Sequence, residues 1–224
     1  MRYLPVILFI LLLYAPVAKG QQFHAGLLPE LSVSYKWTEK IQQTIKIESA
    51  HELVHPETAG FDYSHNQTDI QVFIEGRINP FIKIAGGYQY RLEGSGGNSH
   101  RLIQQIAWLQ RKTAIRLGHR VRTDQTLYAS NPLKWRFRYR LSSEIPLEGQ
   151  SLDPGELYLL ISGEPIYSLQ HTASNLEIRL TSSLGYALNR TSSLEIGFDY
   201  RLESLLNKPS SQTLWLGLGW YYLI

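Results

Sequence analysis

Period-two alternation along most of the chain, an export-type leader and an apolar, aromatic-rich last segment together predict an all-β fold. The expected form is a transmembrane antiparallel β-barrel of twelve strands, with ten as the alternative. The alternation is clearest over residues 133–145. There Leu133, Trp135, Phe137, Tyr139, Leu141 and Ile145 share one face, while Lys134, Arg136, Arg138, Arg140 and Glu144 share the other. Helical spacing is nearly absent.

Residues 1–20 read as a secretory signal peptide. Met1-Arg2 is a basic start, residues 4–14 are mostly aliphatic, and Ala18 and Gly20 are small residues where a signal peptidase inspects. The apolar part is too short to cross a bilayer as a helix. Residues 21–224 then form a single barrel domain. The full chain carries 22 Lys+Arg against 19 Asp+Glu, a formal charge of +3. Removal of the leader takes Arg2 and Lys19 with it, leaving 20 against 19, or +1. That near-neutral balance, with no basic block or recognition motif, excludes a nucleic-acid partner. A chain without cysteine has no disulfide framework, thiolate metal site, cysteine nucleophile or lipoprotein anchor.

In chain order, strands are expected at residues 31–38, 41–49, 69–78, 81–93, 101–110, 114–127, 133–145, 156–163, 176–188, 194–204 and 214–224. Turn chemistry separates them: Asn79-Pro80, the glycine-rich stretch 94–98, Asp153-Pro154-Gly155, residues 189–192 and Asn207-Lys208-Pro209. Residues 51–66 form the longest expected connection. Adjacent Gln104 and Gln105 blur the parity of 101–110, whose apolar face is assigned to Leu102, Ile106 and Trp108. Eleven segments make an odd number, whereas bacterial barrels have an even one. Residues 23–28 supply the twelfth.

Alternation alone does not say which face meets water, since a soluble sandwich shows the same pattern. The leader, strands of about 10–14 residues, and Trp or Tyr near strand ends (Trp37, Tyr88, Tyr90, Tyr128, Trp220, Tyr222) favour an outer-membrane barrel. The last segment sets Leu214, Leu216, Leu218, Trp220, Tyr222 and Ile224 against Gly217 and Gly219, a pattern that resembles the strand read by barrel-assembly machinery. An Arg or Lys facing lipid at mid-depth costs about 2–4 kcal/mol. Lys134, Arg136, Arg138 and Arg140 therefore belong inside.

Five stretches carry a family resemblance. Residues 98–105 (NSHRLIQQ) look like an N-E-H-R-hydrophobic-x-Q strand; residues 116–122 (RLGHRVR) and 136–141 (RFRYRL) look like paired R-x-R strands. Residues 184–186 and 194–200 look like a closing G-x-G-Y and L-E-x-G-Y hairpin. The chain thus resembles the outer-membrane barrel family known as domain of unknown function 2490. Thr123-Asp124 departs from its Arg-x-Glu-x-Arg continuation, and Ser183 from the first Gly of its hairpin. The resemblance implies the fold and the location, and brings no catalytic residues.

The strongest candidate constellation is a basic lumen wall: Arg116, Arg120, Arg122, Lys134, Arg136, Arg138 and Arg140, with Asp124 and Glu144 as its inward acids. Lumen acids gather on other strands: Asp69, Glu75, Glu177, Glu195, Asp199 and Glu203. Such a division either packs the lumen with ion pairs or sets a transverse field that selects small anionic solutes. Among the histidines, His51 and His55 have helical metal spacing, but Pro56 and Gly60 oppose a helix there. His119 has lipid-facing parity. No metal site, cofactor or catalytic motif is expected, for the chain has no Gly-x-Ser-x-Gly, His-Glu-x-x-His or phosphate loop. The expected role is a narrow passive channel or structural barrel in contact with outer-membrane lipid. A rim enzyme acting on envelope lipid or glycan, and a soluble periplasmic lipocalin-like binding protein, are the alternatives.

Overall fold

The computed structural model describes residues 22–55, 61–94, 97–112, 115–149, 151–207 and 209–224; the leader expected over residues 1–20 lies outside them. The described residues form eleven strands: β1 (Gln22–Lys36), β2 (Ile41–Val54), β3 (Ser64–Arg77), β4 (Ile82–Glu93), β5 (Ser99–Lys112), β6 (Ile115–Tyr128), β7 (Lys134–Pro146), β8 (Leu157–Gln170), β9 (Ala173–Ala187), β10 (Ser192–Glu203) and β11 (Ser211–Leu223). Each pairs antiparallel with its neighbour in sequence, and β1 closes on β11 in parallel. The result is a closed barrel. An odd number of hairpin-linked strands leaves the first and last running the same way, so the seam has to be parallel.

Twelve strands, and ten, are both corrected to eleven. The two segments expected at 23–28 and 31–38 are one strand of 15 residues. Pro29 does not end it. The ladder to β2 skips Leu28 and Pro29, while both keep their places opposite β11. A proline lacks one ladder donor and is accommodated where the pairing is already irregular. The same device recurs in β8, expected to stop at Gly163. Its ladder to β7 skips Glu164 and Pro165 and resumes at Ile166. The connection expected over 51–66 is also shorter, since β2 runs to Val54 and β3 starts at Ser64.

The rim where β1 begins, called here the first rim, carries the connections 55–63, 94–98, 129–133, 171–172 and 204–210. The opposite, second rim carries 37–40, 78–81, 113–114, 147–156 and 188–191. Apart from 147–156, the second-rim connections are two to four residues long.

Side-chain parity follows the alternation. Phe137, Leu102, Ile84 and Ile196 are 47%, 48%, 48% and 50% exposed on the outside, while their chain neighbours point inward. Leu102 and Ile106 lie on the outer face as assigned, and inward-facing Arg101 and Ile103 are buried. Gly87 is required by a close approach: a Cβ there would run into the Phe73 ring, which turns into the lumen instead of outward. The Arg122 guanidinium carbon lies 5.3 Å from the centroid of that ring.

Candidate functional site

The basic wall forms because β6 and β7 each place a cation at successive inward positions. Their register sets Arg120 opposite Arg140, Arg122 opposite Arg138 and Asp124 opposite Arg136. Like charges directly across a ladder are destabilising. Two fully buried carboxylates hold the wall together. Asp124 accepts from Arg122 Nε at 2.9 Å, from Arg136 Nη2 at 2.9 Å and, more loosely, from Arg138 Nη1 at 3.4 Å. Glu164, reaching across from β8, accepts from Arg120 Nη2 at 2.8 Å, Arg138 Nη2 at 2.7 Å and Arg140 Nη2 at 3.2 Å. Arg138 links the two clusters. Five guanidinium groups thus share two carboxylates, a local excess of three positive charges.

Donors are also in excess. Among the described residues, the buried Nε–H groups of Arg120, Arg136, Arg138 and Arg140 have no hydrogen-bond partner. Buried Arg101 extends the positive region on β5 and is held by neutral groups, Thr126 Oγ1 and Gln89 Oε1, each at 2.9 Å. Of the other wall residues, Arg116 lies 3.6 Å from Glu144 with both side chains about a third exposed, and Lys134 is half-buried at the start of β7.

The acids expected on other strands do not cross to this wall. Asp69 takes a two-pronged bond from Arg91 at 2.7 Å, and Glu75 pairs with Lys83 at 2.6 Å. Glu177 pairs with Arg179 and Asp199 with Arg201, each two residues along its own strand. Glu195 accepts from Tyr158 Oη at 2.7 Å, and Glu203 lies 3.5 Å from Ser211 Oγ. On β1 and β2, Lys46 sits between Glu30 at 2.6 Å and Glu48 at 3.0 Å. Between the two sides lies a polar cavity of about 430 Å³, touched by Arg122 and Arg138 on one side and by Lys46, Glu48 and Arg179 on the other.

A family model described as a protein of unknown function, DUF2490, matches residues 29–212. The chain belongs to the DUF2490 family. Neither the curated proteins nor the solved structures contain a match to it. The DUF2490 match runs from within β1 to the start of β11 and takes in the whole basic wall with both of its acids. The first three motif strands are neighbours, β5, β6 and β7, which is why Arg101 of the first meets Thr126 of the second.

Sequence reasoning missed Glu164, the acid that three arginines share. Its signal is visible in hindsight: Tyr158, Leu160, Ser162, Glu164 and Ile166 keep one parity straight through Pro165. The histidines separate by face and position. His51 joins Tyr63 through Nδ1 at 3.0 Å, and its ring lies 5.5 Å from that of His65. His119 stacks on Trp108 at 4.9 Å and meets Tyr139 Oη at 2.8 Å. His55 does not pair with His51; it meets Glu52, which also meets His24.

Proposed function

We propose that this DUF2490 barrel spans the outer membrane of a bacterial envelope and passes small anionic solutes through a narrow, charged lumen. The observation that carries the solute class is the unmatched wall: three positive charges in excess, with four buried Nε–H donors left without acceptors. Buried donors of this kind are costly unless something accepts from them. A small anion offers both the charge and the acceptors. Eleven strands spaced about 4.8 Å apart and tilted about 40° put the backbone about 11 Å from the axis. Long side chains from opposite walls then leave a restricted path, where low-dielectric surroundings focus the field.

Placement in a membrane is supported by the outer surface. Apolar side chains are exposed on every strand, far more of them than a soluble monomer keeps uncovered. Trp37, Trp220 and Tyr222 lie toward the second rim, Tyr63, Tyr90 and Trp135 toward the first. Aromatic residues at both levels suit the two interfaces of a bilayer. The outward polar residues Gln104, Thr123 and Gln125 satisfy one another at 2.9 Å. In this reading residues 1–20 direct export, and β11 is the strand that the barrel-assembly machinery engages.

Planar-bilayer recording under a KCl gradient tests the proposal. The expected reversal potential favours chloride, and replacing Arg120 and Arg138 together by Ser lowers that preference most at low salt, where the field is least screened. A barrel that never conducts, and whose thermal stability drops with the same substitutions, would be a structural barrel instead. Recovery of the protein in the soluble periplasmic fraction, without heat-modifiable gel migration, overturns the membrane assignment.

A further inference from the structure

Six of the seven histidines, all but His119, lie at or beside the first rim, at strand starts and ends or in its turns. Three ligand-type side chains converge there from two strands and the connection that follows the second: His24 near the start of β1, Glu52 near the end of β2, and His55 just beyond it. His24 Nδ1 lies 3.3 Å from Glu52 Oε1, and His55 Nδ1 lies 3.0 Å from Glu52 Oε2. All three offered atoms fall within 4.8 Å of one another. We propose that His24, Glu52 and His55 form a binding site for a divalent transition-metal ion, Zn²⁺ being the first candidate.

Ligand type comes first. Two imidazoles and one carboxylate form a set suited to borderline divalent ions. Spacing agrees: ligand atoms about 2.0–2.1 Å from a tetrahedral zinc are about 3.3 Å from each other. Alignment then separates a ligand from an ordinary hydrogen bond. His24 Nδ1 is buried and close to the carboxylate, yet it makes no hydrogen bond among the described residues. A nitrogen beside an oxygen without pointing at it is the arrangement of two atoms that share a third.

The surroundings hold these groups as a metal site requires. His55 Nε2 lies 2.9 Å from Ser64 Oγ, which fixes the ring through its far nitrogen. Asn66 Nδ2 donates to Glu52 Oε1 at 3.3 Å. Outer partners of this kind orient imidazole and carboxylate ligands. Close by, Leu28, Ala50 and Trp215 form a buried apolar cluster. A Cβ at Gly26 would strike the His51 carbonyl, and its Trp215 ring contact would be 2.7 Å, so the backbones of β1 and β2 approach closely just there. Two ladders are irregular beside the site, the β1–β2 ladder between Ala25 and Gly26 and the β2–β3 ladder between Ala50 and His51. The site therefore rests on a buried, close-packed base and does not depend on the anion reading of the lumen.

Titration of the folded full-length barrel in detergent with Co²⁺, read by visible absorption, tests the assignment. One ion per chain is expected, displaced by Zn²⁺. Affinity should fall at least about tenfold in His24→Ala and in His55→Ala, and stay unchanged in His51→Ala. Heat-modifiable migration checks that each variant is folded. Should a variant fail to fold, the unmodified protein decides: Zn²⁺ should shield His24 and His55, but not His51 or His100, from acylation by diethylpyrocarbonate. Absence of saturable uptake, uptake abolished by His51→Ala alone, or equal labelling of all four histidines with and without Zn²⁺ overturns the proposal.

Discussion

The two sides of the lumen handle charge in opposite ways. On β9 and β10 the register also sets Arg179 opposite Arg201, but each has an acid two residues along its own strand, Glu177 and Asp199, so each pair is satisfied within one strand. On β6 and β7 the inward rows run cation after cation, and the register sets them against each other. Neutrality there has to be imported from Asp124 at one end and from Glu164 on a third strand. Similar residue types thus give self-contained pairs on one side and a shared, under-neutralised cluster on the other. Sign order along a strand, more than the number of charges, decides which side keeps capacity for a guest.

That contrast breaks first at Glu164. Its side chain is 1% exposed, and Glu164→Gln leaves three arginines with one neutral acceptor. Removing one partner from a buried ion pair costs about 3–5 kcal/mol, so a large drop in the temperature of heat-modifiable unfolding is expected. Adding Arg138→Gln should recover part of the loss, because the two side chains are coupled. Full additivity of the two changes would show that Glu164 does not act through Arg138.

Phe137→Arg moves a charge from the inner rows to the outer belt. In the membrane-spanning reading it costs about 2–4 kcal/mol and reduces insertion into bilayers, as measured by protease protection. Insertion at the unmodified level would mean that the outer face does not meet lipid. Gly87→Ala acts more gently, by pushing Phe73 away from Arg122. Overpacking of this kind costs about 1–3 kcal/mol, and thermal melting should register it without loss of the barrel. Smallest of all is Asp199→Asn on the self-neutralised side. Arg201 is buried but keeps an amide oxygen as acceptor and the Trp215 ring 5.7 Å away, so about 1–2 kcal/mol is expected. A cost equal to that of Glu164→Gln would erase the distinction between the two sides.

Most of the barrel was legible because inward and outward residues differ so sharply in polarity that parity survives almost any error in strand ends. The segment expected over residues 133–145 lies within one residue of β7 at each end. Legibility failed at Pro29 and Pro165, where a residue type that usually ends a strand sits in a ladder interrupted on one side. Those two errors had different consequences. Pro29 changed the strand count, while Pro165 hid the acid that stabilises the basic wall. The wall itself was visible as sequence, whereas its partners were not, since hydrogen-bond sharing among three strands depends on register. The His24–Glu52–His55 cluster joins residues distant in sequence through a bulge and was equally out of reach.

The parallel seam has a kinetic consequence. Every other ladder joins strands adjacent in sequence and can zip as a hairpin, at little cost in chain entropy. The β1–β11 ladder instead brings Gln22 to Ser211, across nearly the whole chain, and parallel pairing is slightly weaker per residue. Closure should therefore come late, after a curled sheet with two free edges has formed. For the same reason the seam is where a finished barrel opens most readily, and amide protons of β1 and β11 should exchange ahead of those in β5 to β8.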